Sequence, residues 1–159
     1  MDNPMQNDLI ALCTSRGLTI GTAESLTAGL VASKLAEVPG ASAVLRGGVV
    51  AYATDIKHSV LGLAESLLEH VVSEAVVTQM AISATRVLGA DIGLATTGVA
   101  GPDPLDGQPP GSFWLAVHHA PSHTTVTKYV QVQGDRGQVR DLAASSVIAL
   151  GCELLTTLS

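Results

Sequence analysis

The sequence contains very few aromatic residues and few charged ones. Of its 159 residues, one is Trp, two are Tyr and one is Phe, and charged residues make up only 14%. Hydrophobic residues nevertheless account for 47% of the chain, so a core must be built from Ala, Val, Leu and Ile. Such side chains suit helices that pack on a β-sheet. A chain of this length is expected to form a single domain, here residues 1–159.

The chain also lacks the features of several protein classes. Its 14 acidic residues outnumber its 8 Lys and Arg, and no basic cluster occurs, so no nucleic-acid partner is predicted. Cys13 and Cys152 are too far apart in sequence for a zinc or redox pair and are expected to be reduced thiols. Residues 1–6 do not resemble a signal peptide, and no apolar run reaches about 18 residues. We therefore expect a cytoplasmic protein that is neither secreted nor membrane-associated.

Hydrophobic periodicity predicts alternating helices and strands. The clearest helix covers residues 74–88, with Ser73 as its N-cap and Gly89 as its C-cap. Further helices are predicted over residues 6–15, 26–38 and 135–155, a turn or short helix over 54–61, and strands over 18–22, 44–53, 92–97, 112–118 and 124–132. The strand over 44–53 is expected to be buried on both faces, with a bulge or bend at Gly47 and Gly48. This order predicts an α/β fold, a three-layer α/β/α domain with a mixed sheet of about five strands.

The first candidate site lies where a strand passes into a helix, in the segment TAESLTAG at residues 22–29. The hydroxyl of Ser25 would there lie beside unpaired backbone N–H groups and the positive end of the helix dipole, which can stabilise an oxyanion. The alternative is that Ser25 or Thr27 simply caps the helix. Local pattern does not decide between the two.

The second candidate combines Tyr52 with Lys57, five residues later, at the end of a predicted strand. A lysine that emerges from the edge of an apolar sheet can be desolvated enough to lose its proton near neutral pH and act as the base for a serine. The alternative is a solvated surface lysine beside a half-buried tyrosine.

The third candidate is the loop TTGVAGP at residues 96–102, which follows a predicted strand. Ligands bind at the carboxyl ends of strands in open α/β sheets, and Gly98 and Gly101 would let backbone N–H groups approach a phosphate. A structural turn explains these glycines equally well. Because the loop has neither a Walker lysine nor a complete GxGxxG, no NTPase or dinucleotide site is predicted.

The fourth candidate is basic. Arg136 and Arg140 lie four residues apart at the start of the last predicted helix, where Asp135 would be its cap. The two arginines would share one helix face and could bind a phosphate or a carboxylate. Ordinary surface arginines are the alternative.

Histidines could suggest a metal site. However, His118 and His119 are adjacent in a predicted strand, so their side chains should point to opposite faces. With His123 they are expected to be surface residues, and no metal site is predicted.

Taken together and in this order, these stretches resemble the CinA C-terminal domain family of nicotinamide-nucleotide amidases. The resemblance covers nearly the whole chain and is carried by five motifs: TAESLTAGL at 22–30, VVAYATDIK at 49–57, ATTGVAGP at 95–102, PPGSFWLAV at 109–117 and QGDRGQVR at 133–140. The chain departs from the family at Ala28 and Ala53, where Gly and Ser are common. It also departs in the loop 102–111, which is rich in Pro and Asp instead of Gly.

The resemblance implies a serine amidase that converts nicotinamide mononucleotide to nicotinic acid mononucleotide and ammonia, without a cofactor or a metal. Ser25 would be the nucleophile, Lys57 the base, and Tyr52 a neighbour that orients groups or relays a proton. The residues that the resemblance implies in binding the nucleotide substrate are Thr27, Thr97, Gly98, Gly101, Arg136 and Arg140. One of the two arginines would hold the phosphate or carboxylate of the substrate.

Two other functions are consistent with the sequence. Many members of this family are attached to another domain, so the chain could be a non-catalytic nucleotide-binding or regulatory module. It could also be a serine-lysine hydrolase that acts on a different amide or an ester. The high apolar content suggests a homo-oligomer.

Overall fold

A computed structural model describes residues 5–158 of the chain. Its helices are α1 (Met5–Arg16), α2 (Leu30–Ala36), α3 (Thr54–Ser59), α4 (Glu74–Leu88) and α5 (Arg136–Thr157). Its strands are β1 (Ile20–Glu24), β2 (Leu45–Val50), β3 (Ile92–Gly98), β4 (Ser112–His119) and β5 (Thr124–Gln131). Short 3₁₀ turns occur at Ala41–Ala43, Glu65–Glu69 and Ala120–Ser122.

The five strands form one mixed sheet in the order β2-β1-β3-β4-β5. Strands β2, β1 and β3 are parallel, whereas β4 is antiparallel to both β3 and β5. The segments after β1, β2 and β3 therefore leave the sheet at the same edge, and so does the connection from β5 to α5. In α/β sheets this carboxyl-terminal edge is where ligands bind.

Helices cover both faces of the sheet and create two apolar cores. On one face, α1 and α2 pack beside α5, and α5 contacts β3 and β4, so that Leu9, Leu35, Phe113 and Ile148 are buried together. On the other face, α4 packs across the strands through residues such as Met80. The predicted three-layer α/β/α architecture with a five-strand mixed sheet is confirmed. Within residues 5–158, no helix combines the length and the apolar character needed to cross a bilayer.

Helix α4 has the bounds that the sequence predicts, because both of its ends carry strong local signals. The Ser73 hydroxyl accepts a hydrogen bond from the N–H of Val76 at 3.2 Å, and Gly89 closes the helix in the left-handed region at φ 61°. The apolar stripe between these caps is buried against the sheet. Local capping and helical periodicity agree here, which is why this element was predictable.

Three predicted elements differ from the structure. Strand β1 spans Ile20–Glu24 instead of residues 18–22. Helix α2 begins at Leu30 instead of residue 26, because residues 25–29 form turns in which Ala28 and Gly29 have φ values of 50° and 98°. The expectation that residues 44–53 are buried on both faces is wrong, since β2 lies at the sheet edge and its residues alternate between half-buried and exposed. The expected irregularity in this strand is present, because the β1–β2 register shifts where Leu45 is followed by Gly47.

Candidate active site

Ser25 immediately follows β1 and occupies the centre of the carboxyl-terminal edge. Its N–H donates to the carbonyl oxygen of Thr96 in β3 at 3.1 Å, which continues the parallel pairing of β1 with β3 by one residue. Its own carbonyl accepts from the N–H of Ala28 at 3.1 Å, so the chain turns at once. The sheet therefore fixes the backbone of Ser25, and the turn directs the chain away toward α2.

The N–H groups at the start of α2 are not free to stabilise an oxyanion, contrary to the sequence-based expectation. The buried carboxylate of Glu24 accepts hydrogen bonds from the N–H groups of Gly29, Val31 and Ala32 at 3.1, 2.8 and 3.1 Å. Glu24 thus serves as an internal anion for the helix start. Within residues 5–158, the backbone N–H groups of Leu26 and Thr27 donate to no backbone or side-chain acceptor, so these two are the available donors next to Ser25.

Lys57 reaches Ser25 from the segment after β2. Its side chain is 2% exposed, and its Nζ lies 3.1 Å from Ser25 Oγ. Two backbone carbonyls also contact Nζ, that of Ala51 at 2.8 Å and that of Tyr52 at 3.3 Å. A neutral amine has two N–H donors and one lone pair. The two carbonyls can take both donors, which leaves the lone pair for the hydroxyl proton of Ser25.

Burial lowers the pKa of Lys57 from 10.5 to about 8, because desolvation disfavours the ammonium form. With that pKa, roughly a quarter of the molecules carry a neutral amine at pH 7.5, against about one in a thousand for an unperturbed lysine. No carboxylate forms an ion pair with this amine among the residues that the structure describes. A neutral amine at this position has the geometry to accept the hydroxyl proton of Ser25.

A cavity of about 320 Å³ opens beside this pair. The turn at Ser25 and Leu26 forms one side of it, and the loop after β3 forms the other, from Gly98 to Leu105. Gly98 is required where it stands, since a Cβ there would overlap the backbone and Cβ of Phe113 in β4. Among the residues lining the cavity, one is basic, Arg136, and one is acidic, Asp103.

Arg136 and Tyr52 both line the cavity and are hydrogen-bonded to each other. The guanidinium donates from Nη1 to the carbonyl of Gly101 at 2.7 Å and from Nη2 to the hydroxyl of Tyr52 at 2.8 Å. Tyr52 is 55% exposed, and its backbone carbonyl is one of the acceptors of Lys57. The structure therefore brings Ser25, Tyr52, Gly98, Gly101 and Arg136 to one cavity, and the buried Lys57 contacts Ser25 beside it.

The other three predicted site residues make internal hydrogen bonds beside the cavity and do not line it. Arg140 donates to the carbonyls of Leu26 and Thr27 at 2.8 and 3.1 Å, so it holds the turn after Ser25. The buried hydroxyl of Thr27 donates to Glu24 Oε1 at 2.7 Å, and that of Thr97 donates to the carbonyl of Val71 at 2.7 Å. Of the two arginines, it is thus Arg136 that is placed to contact a ligand.

One of the three histidines predicted to lie at the surface is buried. His118 is buried and not a surface residue, because its Nδ1 pairs with the hydroxyl of Thr125 at 2.7 Å across the β4–β5 ladder. Burial, together with the nearby His123 and His119, lowers its pKa. No group of three or more His, Cys, Asp or Glu suited to a metal ion occurs in the described part of the chain.

Sequence reasoning missed Glu24 and Thr96 as parts of the site. Thr96 contributes its carbonyl to the N–H of Ser25, and its hydroxyl lies 2.8 Å from that of Thr27. Glu24 lay outside the strand predicted over residues 18–22, whereas the structure extends β1 to Glu24 and buries all of its residues. A carboxylate in that position requires several donors nearby.

Comparison with known proteins places this site in a family. Residues 2–155 match the CinA C-terminal domain family.

The chain belongs to the CinA C-terminal domain family.

Among individual proteins, it is 42% identical over 159 residues to a CinA-like protein from Frankia casuarinae, covering 99% of this chain and 36% of the relative. This CinA-type chain also superimposes on a competence-damaged protein (CinA) superfamily protein from Klebsiella pneumoniae with a TM-score of 0.91 at 32% identity, over 98% of this chain and 99% of that one. A competence/damage inducible protein, CihA, from Agrobacterium tumefaciens gives a TM-score of 0.90 at 29% identity, over 96% and 93%.

The chain spans about a third of the length of the curated relatives that it matches. The names of the three proteins above mention CinA, competence and damage, and none of them mentions a chemical reaction. The family assignment therefore supports the fold and the alignment of the motifs. The reaction has to be argued from the geometry of the CinA-type site itself.

Proposed function

We propose that this chain is an amidohydrolase that deamidates nicotinamide mononucleotide to nicotinic acid mononucleotide and ammonia. The observation that carries the proposal is the 3.1 Å contact between Ser25 Oγ and the buried Nζ of Lys57. A buried lysine without a carboxylate partner is costly to maintain, and such perturbed groups concentrate at functional sites. The substrate is inferred from the family resemblance, and the cavity beside Ser25 and Lys57 is its proposed binding site.

The reaction follows from the donors and acceptors around Ser25. The neutral amine of Lys57 takes the hydroxyl proton as Ser25 Oγ attacks the carboxamide carbon, and the N–H of Leu26, which lines the cavity beside Ser25, is a donor for the resulting oxyanion. The Lys57 ammonium then returns the proton to the departing nitrogen, and ammonia leaves. Water hydrolyses the acyl-enzyme with Lys57 again as the base, which releases the carboxylate and restores the serine.

The cavity is suited to a small nucleotide in size and in charge. Its volume of about 320 Å³ lies at the lower end of the range for small-molecule sites. Arg136 presents a guanidinium that can bind a phosphate in a bidentate manner, while Asp103 offers a negative charge to a cationic pyridinium ring. The partner that we propose is therefore a pyridine nucleotide, bound with its carboxamide at Ser25 and its phosphate at Arg136.

The decisive experiment measures ammonia and the nucleotide product by mass spectrometry after incubation of the pure protein with nicotinamide mononucleotide. Turnover should be present in the wild type and absent in Ser25→Ala and Lys57→Met. Two matched controls, Ser15→Ala and Lys34→Met, change an exposed serine and a lysine outside the site and should retain turnover. Binding of the nucleotide without any ammonia release would favour the non-catalytic nucleotide-binding or regulatory module.

A hydrolase of another amide is the second enzymatic alternative, and Arg136 distinguishes it. If the guanidinium binds the phosphate, Arg136→Met should raise KM for the nucleotide by roughly 10–100-fold, the loss expected for a charge-assisted pair. The same change should leave KM for the riboside, which has no phosphate, nearly unaltered. Equal turnover of riboside and nucleotide by the wild type would remove the phosphate contact from the proposal and favour a different amide.

A further inference from the structure

Glu24 is an acidic residue inside the protein, directly before the proposed nucleophile. It ends β1, and its side chain is 1% exposed. None of the ion pairs formed within residues 5–158 includes it. A carboxylate that is buried without a cation persists only where hydrogen-bond donors replace its hydration.

Five donors surround this carboxylate. Oε1 accepts from the hydroxyl of Thr27 at 2.7 Å and from the N–H groups of Gly29 at 3.1 Å and Val31 at 2.8 Å, while Oε2 accepts from the hydroxyl of Thr22 at 3.0 Å and the N–H of Ala32 at 3.1 Å. Four of the five donors lie in the eight residues that follow Glu24. The chain therefore folds back around the side chain of Glu24, and Ser25 lies inside this closed segment.

The closed segment has an unfavourable backbone of its own. Ala28 adopts a φ of 50°, which is strained for a residue with a Cβ, whereas Gly29 adopts its φ of 98° readily. The conformation of Ala28 therefore needs support from its surroundings. The hydrogen bonds of Glu24 on one side, and those of Arg140 to the Leu26 and Thr27 carbonyls on the other, supply that support.

We propose that Glu24 is a positioning residue, whose buried carboxylate sets the turn that holds Ser25 Oγ at the Lys57 amine. The inference rests on the proposed role of Ser25 as a nucleophile. By occupying the N–H groups of Gly29, Val31 and Ala32, Glu24 also leaves that of Leu26, a residue that lines the cavity, as the donor beside Ser25. Both oxygens of the side chain are needed, because each accepts at least one backbone N–H.

The test replaces Glu24 by Gln, whose side chain has nearly the same shape but only one acceptor oxygen instead of two. Whichever way the amide is oriented, its NH₂ group meets a backbone N–H, so the turn must rearrange. We expect kcat for ammonia release to fall by roughly 10–100-fold, the cost of displacing a reacting group by about 1 Å, with KM changed by less than about threefold. Labelling of Ser25 by a fluorophosphonate, which forms a Ser Oγ–P bond and expels fluoride, should slow by a similar factor.

Asp91→Asn is the matched control. Asp91 accepts from the N–H and hydroxyl of Thr19 at the opposite, amino-terminal edge of β1 and β3. Replacement of the Asp91 carboxylate should lower the stability of the protein without changing kcat or the labelling rate. Hydrogen exchange adds a measurement that does not depend on catalysis. The backbone amides of Gly29, Val31 and Ala32 should exchange faster in Glu24→Gln than in Asp91→Asn.

The outcomes separate the two proposals. A wild type that labels at Ser25 but releases no ammonia from nicotinamide mononucleotide refutes the substrate, while the labelling rates still decide the role of Glu24. A wild type that does neither refutes both. Glu24→Gln that labels and turns over as fast as Asp91→Asn refutes the positioning role alone. Should Glu24→Gln fail to fold, Glu24→Asp replaces it, and an unchanged kcat in that variant overturns the inference.

Discussion

Replacement of Lys57 by Met should change how stability depends on pH. Desolvation lowers the pKa of Lys57 from 10.5 to about 8 in the folded protein. Between these two values the unfolded chain binds a proton that the folded protein does not, so folding stability rises with pH across this window. Below pH 8 both states are protonated, and the full cost of the buried ammonium is present.

The magnitude follows from the size of the shift. A difference of about 2.5 pKa units at about 1.36 kcal/mol each gives about 3 kcal/mol of stability, gained between pH 8 and 10.5. A methionine side chain does not titrate, so the wild type should gain about 3 kcal/mol relative to Lys57→Met over that window. Burial raises the pKa of Cys13 to about 12 and that of Cys152 to about 11, which costs stability above pH 9 in both proteins and cancels in the comparison.

The assay is urea unfolding followed by circular dichroism, at constant ionic strength and at several pH values from 7 to about 11. Lys34→Met is the control, because Lys34 forms an ion pair with Asp141 away from the site, and its profile should run parallel to that of the wild type. If the wild type and Lys57→Met also ran parallel to within about 0.5 kcal/mol, Lys57 would not be desolvated. Lys57 would then not supply a neutral amine base near pH 7.5.

Three further changes test other parts of the structure. The rate of Ser25 acylation should rise with pH and reach a plateau, with an apparent pKa near 8, because only the neutral amine of Lys57 can act as a base. A rate that does not depend on pH between 6.5 and about 9.5 would contradict this. Arg140→Met removes two hydrogen bonds to the turn after Ser25. In steady-state assays kcat should fall by roughly tenfold while KM stays nearly constant. An increase in KM alone would instead indicate that Arg140 contacts the substrate. Gly93→Ala should destabilise the protein by about 3 kcal/mol in thermal unfolding, because its Cβ would overlap the Ala81 carbonyl of α4. Gly137→Ala in α5 should not, because its Cβ would make only an ordinary van der Waals contact with Asp135.

The order and type of the elements were predictable because their signals are local. Helix α4 has an apolar stripe at helical spacing between two strong caps, and Asp135 caps α5 by accepting the N–H of Gln138. The start of α2 was mispredicted because helical spacing does not show which backbone N–H groups a nearby side chain will occupy. Residues 26–29 have helical spacing, yet the Glu24 carboxylate accepts the N–H of Gly29, and helix α2 begins only at Leu30.

The burial of β2 and of His118 was mispredicted for a related reason. An apolar run such as residues 44–53 looks the same at the edge and at the centre of a sheet, and only the strand order decides which one applies. His118 is buried because it shares a face of β4 with Trp114 and Ala116, the face that α4 covers, and its side chain meets Thr125 of β5. Neither fact is contained in the spacing of the residues themselves.

The sequence by itself determined the α/β class, the five motifs and the identity of the candidate reactive side chains. The tertiary structure decided that Lys57 touches Ser25, that Arg136 lines the cavity while Arg140 holds the turn, and that Glu24 anchors the whole segment. The physical reason is that these side chains come from separate segments, which meet because β1, β2, β3 and β5 all end at one edge of the sheet. Desolvation of an amine depends on everything that surrounds it, so the pKa of Lys57 is a property of the packed fold and not of the chain.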